Sequence, residues 1–192
     1  MTTEMTTESS STKKVVSILD QEYHARLLAS LDHYAEVAGV MVHMVHEPLA
    51  NYCSPEEVEW VKNIMLHKEA GKAGLCLTGD SKVPVTTRMM AMAAALLRNY
   101  IDARVVTLVS LLEEHAAGEV ESPTVLLIPN LYIKYAGGKP NTNWQLQIIQ
   151  DLLMRRMVEG KPTIIYVESM THLREDFGAS IVNFIEAHWT IL

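Results

Sequence analysis

Along the 192 residues of the chain the spacing of apolar positions changes once. From residue 15 to residue 44 they recur at helical intervals, at Ile18, Leu19, Tyr23, Leu27, Leu31, Tyr34 and Val37. This predicts one or two helices, with Gly39 as the break. His46-Glu47-Pro48 to Cys53 reads as a loop. Ser54-Pro55-Glu56-Glu57 then has the chemistry of a helix start, with Ser as N-cap, Pro at the first helical position and acids in the first turn. That helix is expected over 54–70, ending near Gly71. Beyond it, short continuous apolar runs at 74–78, 104–109, 124–128 and 163–167 predict strands, and helical spacing at 86–99, 110–116, 144–158 and 177–187 predicts the helices between them. The buried face of the 86–99 helix would be Met89, Met90, Ala93, Leu96, Leu97 and Tyr100. Pro129 is expected to stop the third strand, and residues 189–192 are apolar again. Strands apolar on both faces, alternating with helices, belong to a parallel sheet covered on both sides. The expected fold class is therefore α/β, with three layers.

Composition adds limits. A chain that is 48% hydrophobic and 20% charged can bury one substantial core. Residues 1–14 are Thr/Ser/Glu-rich and read as a disordered tail. The organisation expected is this tail, a helical segment over 15–53 and an α/β domain over 54–192. Sixteen Lys and Arg against 23 Asp and Glu leave a net charge of −7, which excludes gripping nucleic acid by bulk charge but leaves room for a local basic patch. Two cysteines exclude a disulfide scaffold and suit a reducing cytoplasm. No apolar run reaches the roughly 18 residues of a membrane span, and the N-terminus lacks the apolar stretch of a secretory signal.

The first strand is followed by Gly79-Asp80-Ser81-Lys82-Val83-Pro84-Val85-Thr86 and a helix. Strand, Gly-containing turn and helix is the setting of a phosphate-binding loop, whose pattern is G-x-x-x-x-G-K-[ST]. With Gly79 as the first Gly, Pro84 stands where the second belongs, Val85 where the Lys belongs, and Thr86 keeps the hydroxyl. Valine supplies no charge to a phosphate. Proline has no N–H to aim at one, and its φ is fixed. Lys82 lies three residues early. The loop sequence alone fits an ordinary strand-to-helix turn.

Further motifs occur in a recognisable order: Ser122-Pro123-Thr124-Val125-Leu126-Leu127-Ile128-Pro129-Asn130-Leu131, then Asn143-Trp144-Gln145-Leu146, Met154-Arg155-Arg156-Met157, Gly160-Lys161-Pro162-Thr163-Ile164-Ile165, and His172-Leu173-Arg174-Glu175-Asp176-Phe177-Gly178. Together with the helix leading into Gly74–Gly79, this order resembles the ATPase domain of bacterial replicative-helicase loaders. These form an AAA+ family that includes DnaC and DnaI and is related to the transposition helper IstB. The resemblance covers most of the chain and implies a P-loop-NTPase-like (AAA+) domain with a parallel sheet. The chain stops at what would be the last strand, so no helical lid is expected to follow.

The family's functional positions carry over one at a time. The acids that hold magnesium and activate water would follow Ile128; here Pro129 and Asn130 stand there. Proline offers no ligand, and Asn cannot act as a base. The polar residue that positions water falls near Val167-Glu168-Ser169, with Glu168 in place of Asn, Ser or Thr. The arginine that would reach a neighbouring subunit aligns with Phe184, and no Arg follows Arg174. One preorganised electrostatic group is worth about 10²–10³ in rate, and such an arginine about 10³–10⁵. Losing the metal acids, the Lys and the arginine together leaves little beyond background hydrolysis. The resemblance therefore implies an AAA+ domain without ATPase activity, with no bound ATP or magnesium.

Other candidates carry two readings each. His43, His46 and Cys53 offer three zinc-type ligands at unusual spacing, or a surface pair of histidines with a structural thiol. Cys76 reads as an inert core residue. Arg155, Arg156 and Arg174, with Lys161, form either a DNA-facing or partner-facing patch or a solvated helix end. Met89, Met90 and Met92 either fill the space a nucleotide would take or pack an ordinary core. Trp144, with Asn143 and Tyr135, either faces a partner or anchors its loop. The function expected is non-enzymatic: a cytoplasmic role in replication or recombination of a bacterium, phage or mobile element, by binding a replicative helicase, a loader or copies of itself. An ATP-dependent loader with an unusual site and a single-stranded-DNA-binding accessory protein are the alternatives.

Overall fold

The computed structural model describes residues 21–72, 74–118, 123–133 and 143–192; the side chains of 21–28, 143 and 144 are left aside. The expected tail over 1–14 and the loop around Tyr135 lie outside the described residues. In chain order the elements are α1 (Gln21–Val37), two short 3-10 turns (Val42–His46 and Leu49–Asn51), α2 (Pro55–Lys62), α3 (Ile64–Glu69), β1 (Gly74–Thr78), α4 (Val85–Arg98), β2 (Ala103–Val105), α5 (Leu108–Ala117), β3 (Val125–Tyr132), α6 (Asn143–Val158), β4 (Thr163–Val167), α7 (Met170–Phe177), α8 (Ala179–His188) and β5 (Trp189–Ile191). The strands form one sheet in the order β2-β3-β4-β1-β5, and every neighbouring pair is parallel.

The continuous apolar runs bury both faces of this sheet. On one face Leu75, Leu77, Val125, Leu127, Ile164 and Tyr166 pack against α1, α2, α3 and α4. On the other, Cys76, Leu126, Ile128, Ile165 and Val167 pack against α5, α6, α7 and α8. Successive strand side chains point to opposite faces, so each three-residue stretch of β1 or β4 feeds both cores. Helix α4 lies against the sheet and beneath α1 and the 3-10 turns, and it is buried almost all round. Its Ala91, Ala93, Ala94 and Ala95 let the backbones approach, while Met89, Met92 and Leu96 fill the first core. Tyr100, expected on the buried face, is instead 69% exposed, at a left-handed φ of 57° just past the helix end.

Four boundaries differ from the sequence expectation, each for a local reason. Residues 54–70 form two helices, because Asn63 leaves helical geometry and turns its side-chain amide to the Glu59 carbonyl at 3.1 Å. The strand expected to reach residue 109 ends at Val105, because the Thr107 hydroxyl accepts from the Ser110 amide and caps α5. The helix expected from Phe177 is preceded by α7, which Ser169 caps and which Gly178, at φ 87°, separates from α8. Pro129 does not stop β3. Ile128 pairs with Ile165 and Tyr132 with Val167, so residues 129–131 oppose Tyr166 alone in a bulge. A bulge already interrupts the ladder, so the missing proline N–H costs no strand hydrogen bond.

Two glycines are set by close approach. Gly39 (φ 71°) brings the end of α1 onto the edge of β2, where the Val105 amide donates to the Ala38 carbonyl at 3.0 Å. Gly74 lies directly beneath the indole of Trp189, and a Cβ there would overlap the ring. Gly74→Ala is expected to destabilise the fold by about 1–3 kcal/mol, as overpacked cores do. Urea unfolding would show this as a lower midpoint with the slope unchanged.

Candidate functional site

In a parallel sheet the loops after β1, β3 and β4 all leave from the C-terminal edge, which places the 79–86 loop, Pro129, Asn130 and Glu168 at that edge. Thr78 ends β1, and both its amide and its hydroxyl donate to the Leu192 carbonyl, at 2.7 and 3.2 Å. Gly79 follows at φ 69°, and its carbonyl accepts from the Tyr166 hydroxyl at 3.2 Å. Asp80, Ser81 and Lys82 are exposed. Pro84 holds the N-cap position of α4 without a side-chain cap, Val85 is half-buried against the first core, and Thr86 is exposed.

One turn into α4 the chain carries a cation that sequence reasoning passed over. Arg88 is buried and pairs with buried Glu57 of α2 at 3.0 Å, while its Nε has no partner among the described residues. The other carboxylate oxygen of Glu57 accepts from the Ser54 amide at 2.8 Å, completing a capping box. The acid of a helix-start signature thus also fixes α2 to α4. The signal was present in Ser54-x-x-Glu57, but nothing in the sequence pointed to its second partner.

At the end of β3, Pro129 is buried in the bulge. Asn130 aims its side-chain oxygen at the Leu108 amide, 2.9 Å away, and so satisfies an otherwise orphaned donor at the start of α5. Tyr132, also unforeseen, is buried, donates its hydroxyl to Asp176 of α7 and meets Phe177 edge-on at 5.3 Å. Burial, then the Asp176 carboxylate, pushes its phenol well above the ordinary range. At the end of β4, Glu168 is exposed, and its backbone amide donates to the Tyr132 carbonyl at 3.0 Å. Burial raises the Tyr166 phenol as well; Asp80 and Glu168 add to that rise and Arg88 opposes it. Phe184 of α8 is half-buried in the second core, against His188 and Trp189.

The basic group expected as a surface does not stay together. Arg155 is exposed, but Arg156 is 2% exposed and donates to Thr163 Oγ1 (2.8 Å) and to the carbonyls of Pro123 (3.1 Å), Thr124 (3.1 Å) and Pro162 (2.9 Å). It ties α6 to the starts of β3 and β4, at the edge away from the loop. Burial lowers its pKa to about 10. A run of two arginines at a helix end gives no sign of which one turns inward. Arg174 bridges α7 to α8 through Asn183 (3.1 Å) and Glu186 (3.0 Å). Trp144 lies in the first turn of α6. His46 pairs with Asp32 at 3.1 Å and His43 is exposed, whereas the Cys53 thiol is buried, donates to the Arg88 carbonyl and is pushed up to about 12, mainly by burial. These three side chains therefore do not converge. Cys76 is buried in β1 and also pushed up to about 12, by burial alone. Met89 and Met92 are core residues, and Met90 is half-buried beside them.

No family model matches the chain, and neither does any curated protein. Solved structures do. The DnaC helicase loader aligns over 78% of this chain and 97% of its own, with a TM-score of 0.51 and 16% identity. The AMPPCP-bound DnaA of Aquifex aeolicus aligns over 74% of this chain and 48% of its own (TM-score 0.54, 11% identity), and a DNA replication initiation factor over 75% and 48% (TM-score 0.54, 11% identity). The chain shares the α/β fold of these structures, as the AAA+ resemblance led one to expect. It spans about half the length of the initiator structures. No helix among the described residues is long and apolar enough to cross a membrane.

The geometry ranks two substitutions. Arg156→Ala removes the guanidinium from the buried Pro123 carbonyl and empties a filled core position, and is expected to cost about 3 kcal/mol or more, with Arg156→Lys recovering only part; Arg155→Ala should stay within about 0.5 kcal/mol. Asn130→Ala should cost about 1 kcal/mol through the lost contact at α5, while Asn130→Asp, which keeps an acceptor, should be nearly neutral. Denaturant titration of the five variants and of wild type checks both rankings.

Proposed function

We propose that this is a non-catalytic AAA+-fold protein of DNA replication or recombination, working through protein contacts with a replicative helicase, a helicase loader or further copies of itself. The observation that carries the reading is the reassignment of the nucleotide-handling positions to structural work. Pro129 sits in the strand bulge, Asn130 holds the start of α5, and Phe184 packs in the second core. Val85 packs against the first core where the fold's phosphate lysine would stand.

Electrostatics supports the same reading. The cations nearest the loop in sequence are Lys82 and Arg88, and Arg88 is committed to Glu57. Asp80 and Glu168 both bear on Tyr166, so the edge where phosphates would lie carries carboxylates. Removing a phosphate's counter-charge while keeping negative groups nearby disfavours a polyanion. For single-stranded DNA, a patch that loses Arg156 to the core and pairs Arg174 with Glu186 is a small one. Replication is suggested by the neighbours: the solved structures that share the fold are an initiation factor, DnaA and the DnaC helicase loader.

Millimolar Mg-ATP is expected to leave the melting temperature unchanged, because a ligand that does not bind the native state cannot shift it. Restoring the acids with Pro129→Asp/Asn130→Glu should yield no measurable hydrolysis. A rise of several degrees with Mg-ATP, abolished by Lys82→Ala, would establish the ATP-dependent loader instead. Capture from native lysate with the full chain as bait, read by mass spectrometry, should return replication or recombination proteins. Salt-sensitive retention on single-stranded DNA, lost on Arg155→Ala, would favour the DNA-binding alternative.

A further inference from the structure

A loop that opens with a glycine and continues through exposed residues loses much conformational freedom when it becomes ordered. In this chain both ends of the 79–84 loop are held from within. At the far end Pro84 has φ fixed at −53° as it enters α4. At the near end Thr78 grips the Leu192 carbonyl twice, and the very next carbonyl, that of Gly79, receives the Tyr166 hydroxyl at 3.2 Å. Tyr166 reaches it from β4, the strand beside β1, with Leu77 and Tyr166 in register and the ring on the face that α4 covers. A buried tyrosine must place its hydroxyl against a partner. Here that partner is the first residue of the exposed loop.

We propose that Tyr166 is an internal latch: its phenol holds the 79–84 loop in one conformation, so that the loop is ordered by the chain itself and not by a bound nucleotide. The inference deepens the proposed function and rests on it for that last clause. Its distinctive consequence is local. In Tyr166→Phe the ring still fills its place in the first core. Gly79 is exposed, so water takes over its carbonyl. The fold therefore keeps its stability, while the loop loses the anchor on its first carbonyl and keeps only the Thr78–Leu192 bonds behind it.

Limited trypsin digestion of the full chain reads this directly, because the Lys82–Val83 bond lies inside the loop. Cleavage there should be about three- to ten-fold faster in Tyr166→Phe than in wild type, the range one neutral hydrogen bond allows, while cleavage at Arg174–Glu175 in α7 keeps its wild-type rate. Equal rates at Lys82–Val83 would overturn the latch. An acceleration shared by Arg174–Glu175 would overturn it too, since it would report general loosening. Repeating the digestion with millimolar Mg-ATP separates the two readings. Protection of Lys82–Val83 by Mg-ATP in wild type would remove the nucleotide-independent function, yet the comparison of wild type with Tyr166→Phe would still decide the latch.

Discussion

β1 and β4 lie side by side at the centre of the sheet with both faces buried, and every other element answers to that. Leu75 and Leu77 on one side of β1, and Cys76 on the other, cannot be covered by a single layer of helices. The chain therefore needs α1 to α4 on one face and α5 to α8 on the other, and each crossover must return to the same edge to start the next parallel strand. This is also what gathers the loops after β1, β3 and β4 at one edge. The candidate site is thus a consequence of covering the sheet, and it exists whether or not a ligand uses it.

The strands were readable because burial on both faces leaves a direct mark, an unbroken apolar run. The helices were readable where one face is polar. What the sequence hid are effects that depend on who sits opposite. Pro129 looks like a strand terminator until β3 is seen to bulge against Tyr166, where no ladder bond is owed. Arg155 and Arg156 look equivalent until four acceptors from two segments converge on one of them. Asn130 looks like a weakened metal ligand until its oxygen is found on the Leu108 amide, 22 residues earlier in the chain. Tyr132 and Asp176, which join β3 to α7, carry no local signal at all. At the site, the loop positions and their loss of charge were visible in advance, while the partners that replaced the missing chemistry were not.

The distribution of charge explains why an acidic chain can hold so many arginines without presenting a basic surface. Arg88 faces Glu57, Arg104 makes a two-pronged pair with Glu114, and Arg174 faces Glu186. Arg156 donates to Thr163 and to the carbonyls of Pro123, Thr124 and Pro162. Each guanidinium joins two elements, as its planar fork allows. Cations used as joints inside the fold are not available to a polyanion outside it. The net charge of −7 is therefore a fair guide to the electrostatic character the surface can offer a partner.

A nucleotide site that merely decayed would leave gaps: an unfilled loop, orphaned donors at helix starts, a strand end without a role. The C-terminal edge is instead closed at each of these points by a side chain of the chain itself. Asn130 takes the Leu108 amide, Tyr132 takes Asp176, and Tyr166 takes the Gly79 carbonyl. Buried polar groups left open cost on the order of 1–3 kcal/mol each, a large share of the stability of a domain this size. Once a ligand no longer satisfies such groups, residues that satisfy them internally are worth more to the fold than the charged ones they replace. On the proposed reading, the loss of phosphate chemistry and the gain of internal contacts are two sides of the same change, and those contacts hold the edge in place for recognition by another protein.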